Sequence, residues 1–178
     1  CMPIADLPGP GCHPIIADRA LGDTAEAVAR RARLVADALM GQGVLPVLKH
    51  LPGHGRARAD SHAELPRVDA DLATLRATDF AAFRPVADLP LGMTAHVAFD
   101  ALGEGPATTS PATIRAVREE IGFAGLLMTD DLAMHALPGG MAARARDSIA
   151  AGCDMLLLCN APRVEQAAAL AETPVLAG

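Results

Sequence analysis

Lys49, His50 and His54 lie within Lys49-His50-Leu51-Pro52-Gly53-His54-Gly55, and Asp60-Ser61-His62 follows closely. Three histidines, a lysine and an aspartate therefore fall in one short stretch, directly after the apolar run Val44-Leu45-Pro46-Val47-Leu48. A run of that kind reads as a buried strand. Imidazole and charge at a strand's end, followed by a Gly/Pro loop, is where α/β folds place their chemistry. A second cluster, Thr129-Asp130-Asp131, ends the apolar run Ala124 to Met128.

Each group admits a particular chemistry. A carboxylate at Asp130 or Asp131 can serve as nucleophile, metal ligand or cap, and two adjacent acids at a strand end favour a functional use, because burying like charges is costly. Asp60 stands two residues before His62, so in an extended segment the two side chains share a face. A carboxylate accepting from one ring nitrogen fixes the tautomer and raises the basicity of the other, which is the logic of a general acid/base. Ser61 points to the opposite face and forms no triad with His62. Lys49 and His50 suit hydrogen bonding to a polar ligand, and Arg19 could clamp a ligand oxygen or form a solvent ion pair. His96 is either a satisfied core histidine or a support for the site. His50, His54, Asp60 and His62 could bind metal, but their order matches no zinc signature. Gly53 and Gly55 suggest tight turns or a close backbone approach.

The elements that must position these groups alternate strand and helix. Met2 to Leu7 is a short apolar run that ends at Asp6 and a Pro/Gly loop. A helix from about Thr24 to Gln42 has Asp23 as N-cap and Gly43 as C-terminal cap. The strand Val44–Leu48 comes next. A helix over Ala70 to Phe83 has Asp69 as its cap. Leu91 to Val97 forms a strand. Ser110-Pro111 opens a helix ending near Gly122. Ala124 to Met128 is a strand, Met141 to Ala151 a helix, Asp154 to Cys159 a strand and Val164 to Ala171 a last helix. Five strands with intervening helices and no hairpin signal imply a parallel sheet. The candidate polar residues all fall at the C-terminal ends of strands or in the loops after them, the active-site face of a β/α barrel. Eight strands and ~250 residues make a whole barrel. The alternatives are an open doubly wound sheet or a partial (β/α)8 barrel of about five βα units, in one domain over 1–178. No dinucleotide fingerprint supports the first, and no phosphate loop appears, so no cofactor is expected.

The chain has 178 residues, 51% of them apolar, and a net charge of −6. The acidity argues against nucleic-acid or anionic-membrane surfaces, which need clustered Lys and Arg. No apolar run reaches the ~18 residues of a membrane span, and no signal peptide is visible. Cys1, Cys12, Cys153 and Cys159 read as buried or incidental thiols in a reducing compartment. A chain beginning with Cys reads as processed or as a fragment of a longer protein.

Taken in order, Lys49 to Gly55, Asp60-Ser61-His62 with Glu64 and Pro66, Thr94-Ala95-His96, and Thr129-Asp130-Asp131-Leu132-Ala133-Met134 resemble glycoside hydrolase family 3, in particular its bacterial β-N-acetylhexosaminidases of the NagZ type. Ala17-Asp18-Arg19-Ala20-Leu21-Gly22-Asp23 resembles that family's arginine-bearing segment. The resemblance implies a (β/α)8 barrel, here lacking its opening strands, that removes terminal N-acetylglucosamine with retention of configuration. It implies Asp130 as nucleophile, His62 as acid/base oriented by Asp60, and Arg19, Lys49 and His50 as sugar-binding residues, without a metal. It further implies a cytoplasmic enzyme acting on peptidoglycan-derived muropeptides in cell-wall recycling; the expected partner is that carbohydrate alone, with the chain a monomer. The readings left beside it are another family 3 specificity, a catalytically silent sugar-binding remnant, and a metal-dependent barrel hydrolase using His50, His54 and His62.

Overall fold

In a computed structural model, which describes residues 1–175, the elements run in alternating order. They are α1 (Pro14–Ala17), α2 (Ala25–Met40), β1 (Val47–Leu51), β2 (Arg67–Val68), α3 (Leu72–Ala77), α4 (Asp79–Phe83), β3 (Leu91–Thr94) and β4 (Ala98–Phe99). Then come α5 (Pro111–Ala116), β5 (Leu126–Asp131), α6 (Met141–Ala151), β6 (Met155–Leu157) and α7 (Arg163–Ala171). The main sheet has the order β1-β3-β5-β6, and every neighbouring pair is parallel. A small parallel pair, β2 with β4, extends beyond it.

Ahead of β1, the segment around Ile4 runs parallel to that strand, with Ala5 N donating to Lys49 O at 2.8 Å and Val47 N to Met2 O at 2.7 Å. It amounts to a bridge rather than a full strand. Pro3 has no N–H to offer, which thins the ladder. Five parallel segments thus lie side by side in chain order. A doubly wound sheet reverses its strand order at a switch point, and this one does not. The architecture is an arc of a TIM-type barrel, open on both sides among the described residues.

The arc is held by apolar packing between strands and helices. Leu48, Leu51, Leu127, Phe80, Phe83, Val117 and Phe123 are buried in one core cluster. β1 is buried along its length apart from the half-exposed Lys49, as expected of a parallel strand covered on both faces. Glycine permits the closest approaches. A Cβ on Gly92 would meet Phe123 Cζ at 2.6 Å, and one on Gly55 would meet Leu7 O at 2.0 Å. Gly53 has φ +143°, and both Gly53 and Gly55 thus behave as the spacing anticipated.

Several element boundaries differ from the sequence reading, each for a local reason. β1 begins at Val47 rather than Val44, because Val44 and Leu45 are exposed and Pro46 interrupts the ladder. Lys49 and His50 consequently lie inside the strand, not after it. β5 likewise runs on to Asp131. The cap of α2 is Thr24, whose hydroxyl accepts from Ala27 N, in place of Asp23; the helix stops at Gly41, two residues before Gly43. Asp71 rather than Asp69 caps α3, accepting from Thr74 N at 2.7 Å. The single helix expected over 70–83 is broken at Thr78, whose hydroxyl donates back to Thr74 O and whose backbone leaves helical geometry. Ser110 caps α5 as expected, with Pro111 in its first turn, and a π turn over Val117–Ile121 leads to the left-handed Gly122. Of the four thiols, Cys153 is buried, and burial pushes it up to about 12, so it stays protonated.

Gly55→Ala would drive a methyl into the Leu7 backbone, which has no rotamer with which to yield. We expect a loss of about 3 kcal/mol, measured by urea denaturation of the natural polypeptide that carries the chain. An unchanged midpoint would contradict the close contact.

Candidate active site

The C-terminal ends of β1 and β5 open on a cavity of about 110 Å³ lined by Ile16, Arg19, Lys49, His50, His54, Ser61, His62 and Asp130. Five of the six residues singled out from sequence line it directly. The sixth, Asp60, stands behind His62: its Oδ1 accepts from the His62 ring Nδ1 at 2.7 Å and from His62 N at 2.9 Å. Those bonds hold the Asp60 carboxyl below its ordinary value. The carboxylate can only accept, so Nδ1 carries a proton and Nε2 is the nitrogen left for proton exchange.

The two adjacent acids separate cleanly. Asp131 turns away from the cavity: its Oδ1 accepts from Ala133 N at 3.0 Å and Cys159 N at 3.2 Å, joining the loop after β5 to the end of β6. Asp130 lines the cavity, and its Oδ1 accepts from Asp131 N at 2.9 Å. Alternation along β5 makes this division inevitable, since successive side chains leave a strand on opposite faces. Asp131 is therefore a loop-organising acceptor, and Asp130 is the carboxylate free to meet a ligand.

Asp6 is the residue that sequence reasoning passed over. It is fully buried at the end of the first extended segment. Its Oδ2 accepts from His50 Nδ1 at 2.6 Å, and its Oδ1 from His50 N at 3.2 Å and His54 N at 2.7 Å. Burial works to raise its pKa. The attraction and hydrogen bonding of His50, with help from His54, outweigh that and hold the carboxyl below its usual range. Asp6 thereby sets the His50 proton on Nδ1 and leaves Nε2 for a ligand hydroxyl. The rule that found Lys49 and Asp130, a polar group closing an apolar run before a loop, applies equally to Asp6.

Lys49 is held below its ordinary value first by burial; Asp130 pulls it back up, and Arg19 pushes it further down. A lysine so placed between a carboxylate and a guanidinium is a donor to polar ligand atoms. His96 proves to be fully buried. Its Nε2 donates to Asp131 O at 3.0 Å, which leaves Nδ1 to accept from the Thr108 hydroxyl at 2.7 Å. Burial keeps it below its ordinary pKa, although Asp130 pulls the other way. It thus supports the end of β5 from beneath. The histidines weighed as metal ligands have other engagements: His50 with Asp6, His54 with Ser61, and His62 with Asp60. Among the described residues, no three His, Cys, Asp or Glu side chains gather to hold a metal ion.

Residues 2–175 match the glycosyl hydrolase family 3 N terminal domain, and the chain belongs to that family. Among curated relatives, a beta-hexosaminidase of Alkalilimnicola ehrlichii is 43% identical over 90% of this chain and 47% of its own length. One from Neisseria meningitidis serogroup C is 38% identical, over 90% and 45%. The structure of native NagZ from Neisseria gonorrhoeae superposes with a TM-score of 0.85 at 36% identity, covering 97% of this chain and 51% of that one. A family 3 beta-N-acetylglucosaminidase from Paenibacillus sp. gives 0.89 at 35%, covering 96% and 34%. The chain therefore spans about half the length of the curated relatives it matches. Among the described residues, no helix is long and apolar enough to cross a membrane.

Two histidines held neutral by burial give a pH signature. His54 and His96 lie below the ordinary 6.5 in the fold, so the unfolded chain takes up protons first as pH falls. Stability is then complete above about pH 6.5 and declines below it, by at most about 1.4 kcal/mol per pH unit per histidine. Asp6, lowered in the fold, adds stability that is present above its unfolded value and lost only as pH falls through its folded one. Urea titrations between pH 7.5 and 5 are expected to show the slope, and His96→Asn should remove one of its two increments. A flat profile would contradict the neutral assignments.

Proposed function

We propose that the polypeptide carrying this chain is a retaining exo-β-N-acetylglucosaminidase that removes terminal N-acetylglucosamine from peptidoglycan-derived muropeptides. The observation that carries the reading is that Asp130 and His62 line one small cavity together with Arg19, Lys49 and His50. The names of its relatives support the choice of sugar, and the grouping of these side chains supports the roles given to them. The 178 residues are then part of the catalytic domain, working in the cytoplasm as a monomer, with no cofactor or metal.

In the proposed reaction the Asp130 carboxylate attacks the anomeric carbon. His62, held by Asp60, gives its Nε2 proton to the glycosidic oxygen, and the leaving alcohol departs. A glycosyl ester on Asp130 results. His62, now neutral, takes a proton from water, whose oxygen attacks the same carbon and releases the sugar with its configuration retained. The two displacements at one carbon restore the starting anomer. An imidazole rather than a second carboxylate does the proton work, so no second negative charge is set beside Asp130. Arg19, Lys49 and His50 offer donors and acceptors to ring hydroxyls and the acetamido group. The cavity is polar and small, about 110 Å³, which argues against a long cleft for an extended polysaccharide.

A chromogenic N-acetylglucosaminide assay on the natural polypeptide tests the assignment. Asp130→Ala is expected to abolish turnover, and His62→Ala to lower it by about 10²–10⁴-fold, with chelator having no effect. Full activity in Asp130→Ala, loss on chelation, or binding without turnover in the unaltered protein would each contradict it.

A further inference from the structure

His54 has no part in the reaction just described, yet it is among the most thoroughly committed residues near the cavity. It is 3% exposed. Its backbone N–H donates to Asp6 Oδ1 at 2.7 Å, and its carbonyl accepts from Ala57 N at 3.1 Å, so the residue is anchored at both ends. Its ring packs edge-on against His50, with centroids 5.5 Å apart. One ring nitrogen, Nε2, lies 3.1 Å from Ser61 Oγ, while the other, Nδ1, is buried without a partner.

Ser61 is the residue between Asp60 and His62. From Arg58 to Leu65 it is the one buried residue, at 4% exposure, whereas the His62 side chain is 65% exposed. The bonds within this loop close on Asp60: Ala63 N and Glu64 N both donate to its carbonyl, and His62 to its carboxylate. They shape the loop without fixing it to the barrel. Its two ends are fixed elsewhere. Arg56 Nε donates to the buried Asp79 at 2.6 Å, and Pro66 O accepts from Ala98 N at 2.9 Å. Midway between those ends stands the contact from His54 to Ser61.

We propose that His54 is a positioning residue for the acid/base: through Nε2 it latches Ser61 and so sets the Asp60–His62 pair over the cavity. This rests on the reading of His62 as acid/base. The proton assignment follows from satisfaction of the ring. A neutral imidazole carries one N–H, and an orphaned buried N–H is rarer than an unmet acceptor. The proton therefore sits on Nε2 and is donated to Ser61 Oγ, leaving Nδ1 as a bare lone pair. Ser61 accordingly connects a rigid turn, tied to Asp6, with an exposed histidine that must reach a leaving oxygen. A small misplacement of a catalytic group can cost about 10²-fold in rate.

The test compares kcat/KM on two β-N-acetylglucosaminides, one with a phenol leaving group that needs protonation and one with 2,4-dinitrophenol that does not. In the natural polypeptide, Ser61→Ala and His54→Phe are expected to lose about 10–100-fold on the phenyl substrate. They should stay within about 3-fold of wild type on the activated one, which also shows that they fold. Phe keeps the ring against His50 and removes both nitrogens. The double variant should be no worse than either single one, because the two residues share one bond. Ser61→Thr, which retains the hydroxyl, should restore the wild-type ratio between substrates. Equal losses on both substrates, a rise in KM alone, additive losses, or no loss would overturn the latch. His62→Ala serves as the control: if it leaves phenyl hydrolysis intact, the acid/base reading itself fails and the latch falls with it.

Discussion

A buried carboxylate accepting three N–H bonds is the interaction on which this site depends. Asp6 would be expensive to bury alone, since an isolated anion in an apolar interior is strongly disfavoured. Its two oxygens instead receive the His50 ring and the backbone N–H groups of His50 and His54. One side chain thereby couples three things: the first extended segment, the end of β1, and the turn that leads into the loop carrying Asp60 and His62. The close passage of Gly55 against Leu7 belongs to the same junction, with Gly9 N donating to Gly55 O at 2.8 Å. The ring orientation of His50 and the placement of His54 both follow from an aspartate more than forty residues earlier in the chain.

The chemistry at the strand ends was more legible in the sequence than the elements that carry it. Lys49, His50 and Asp130 stand out because charged groups rarely close apolar runs without reason, His62 because Asp60 stands two residues before it, and Arg19 because of the segment around it. All five reach one cavity. Strand limits were harder to read. Val44 and Leu45 look like strand residues by type but sit in solvent before β1, since hydrophobicity alone cannot tell which apolar residues the helices cover. Helix caps moved by one or two residues for a related reason: Asp23 and Thr24, or Asp69 and Asp71, are all good caps, and tertiary position chooses between them. Spacing alone leaves Asp130 and Asp131 equivalent; the family resemblance points to Asp130, and the strand running on through both gives the physical reason they face opposite ways. Asp6 was visible as a residue but not as a hub, because its partners lie far along the chain. His54 was weighed only as a metal ligand, since nothing in the spacing links it to Ser61.

Size is a poor guide to the site. A hollow of about 590 Å³ beside β6 and α7 is far larger than the cavity at the strand ends. It is lined mostly by apolar side chains such as Leu156, Leu158 and Leu170. It offers a surface to cover and few groups that could move a proton or bear a bond. The smaller cavity concentrates a carboxylate, three imidazoles, an ammonium and a guanidinium. Its chemistry is set from behind by residues that never enter it: Asp6 for His50, Asp60 for His62, and His96 with Asp131 for the end of β5.

Assigning Asp130 rather than its neighbour as the nucleophile is the claim on which the functional account turns. It is tested most directly by treating the natural polypeptide with a fluorinated N-acetylglucosaminyl fluoride, whose glycosyl ester hydrolyses slowly, and mapping the modified peptide by mass spectrometry. The account expects a single sugar adduct on Asp130. An adduct on Asp131 or on another side chain, or product released with inverted configuration and no adduct at all, would contradict it.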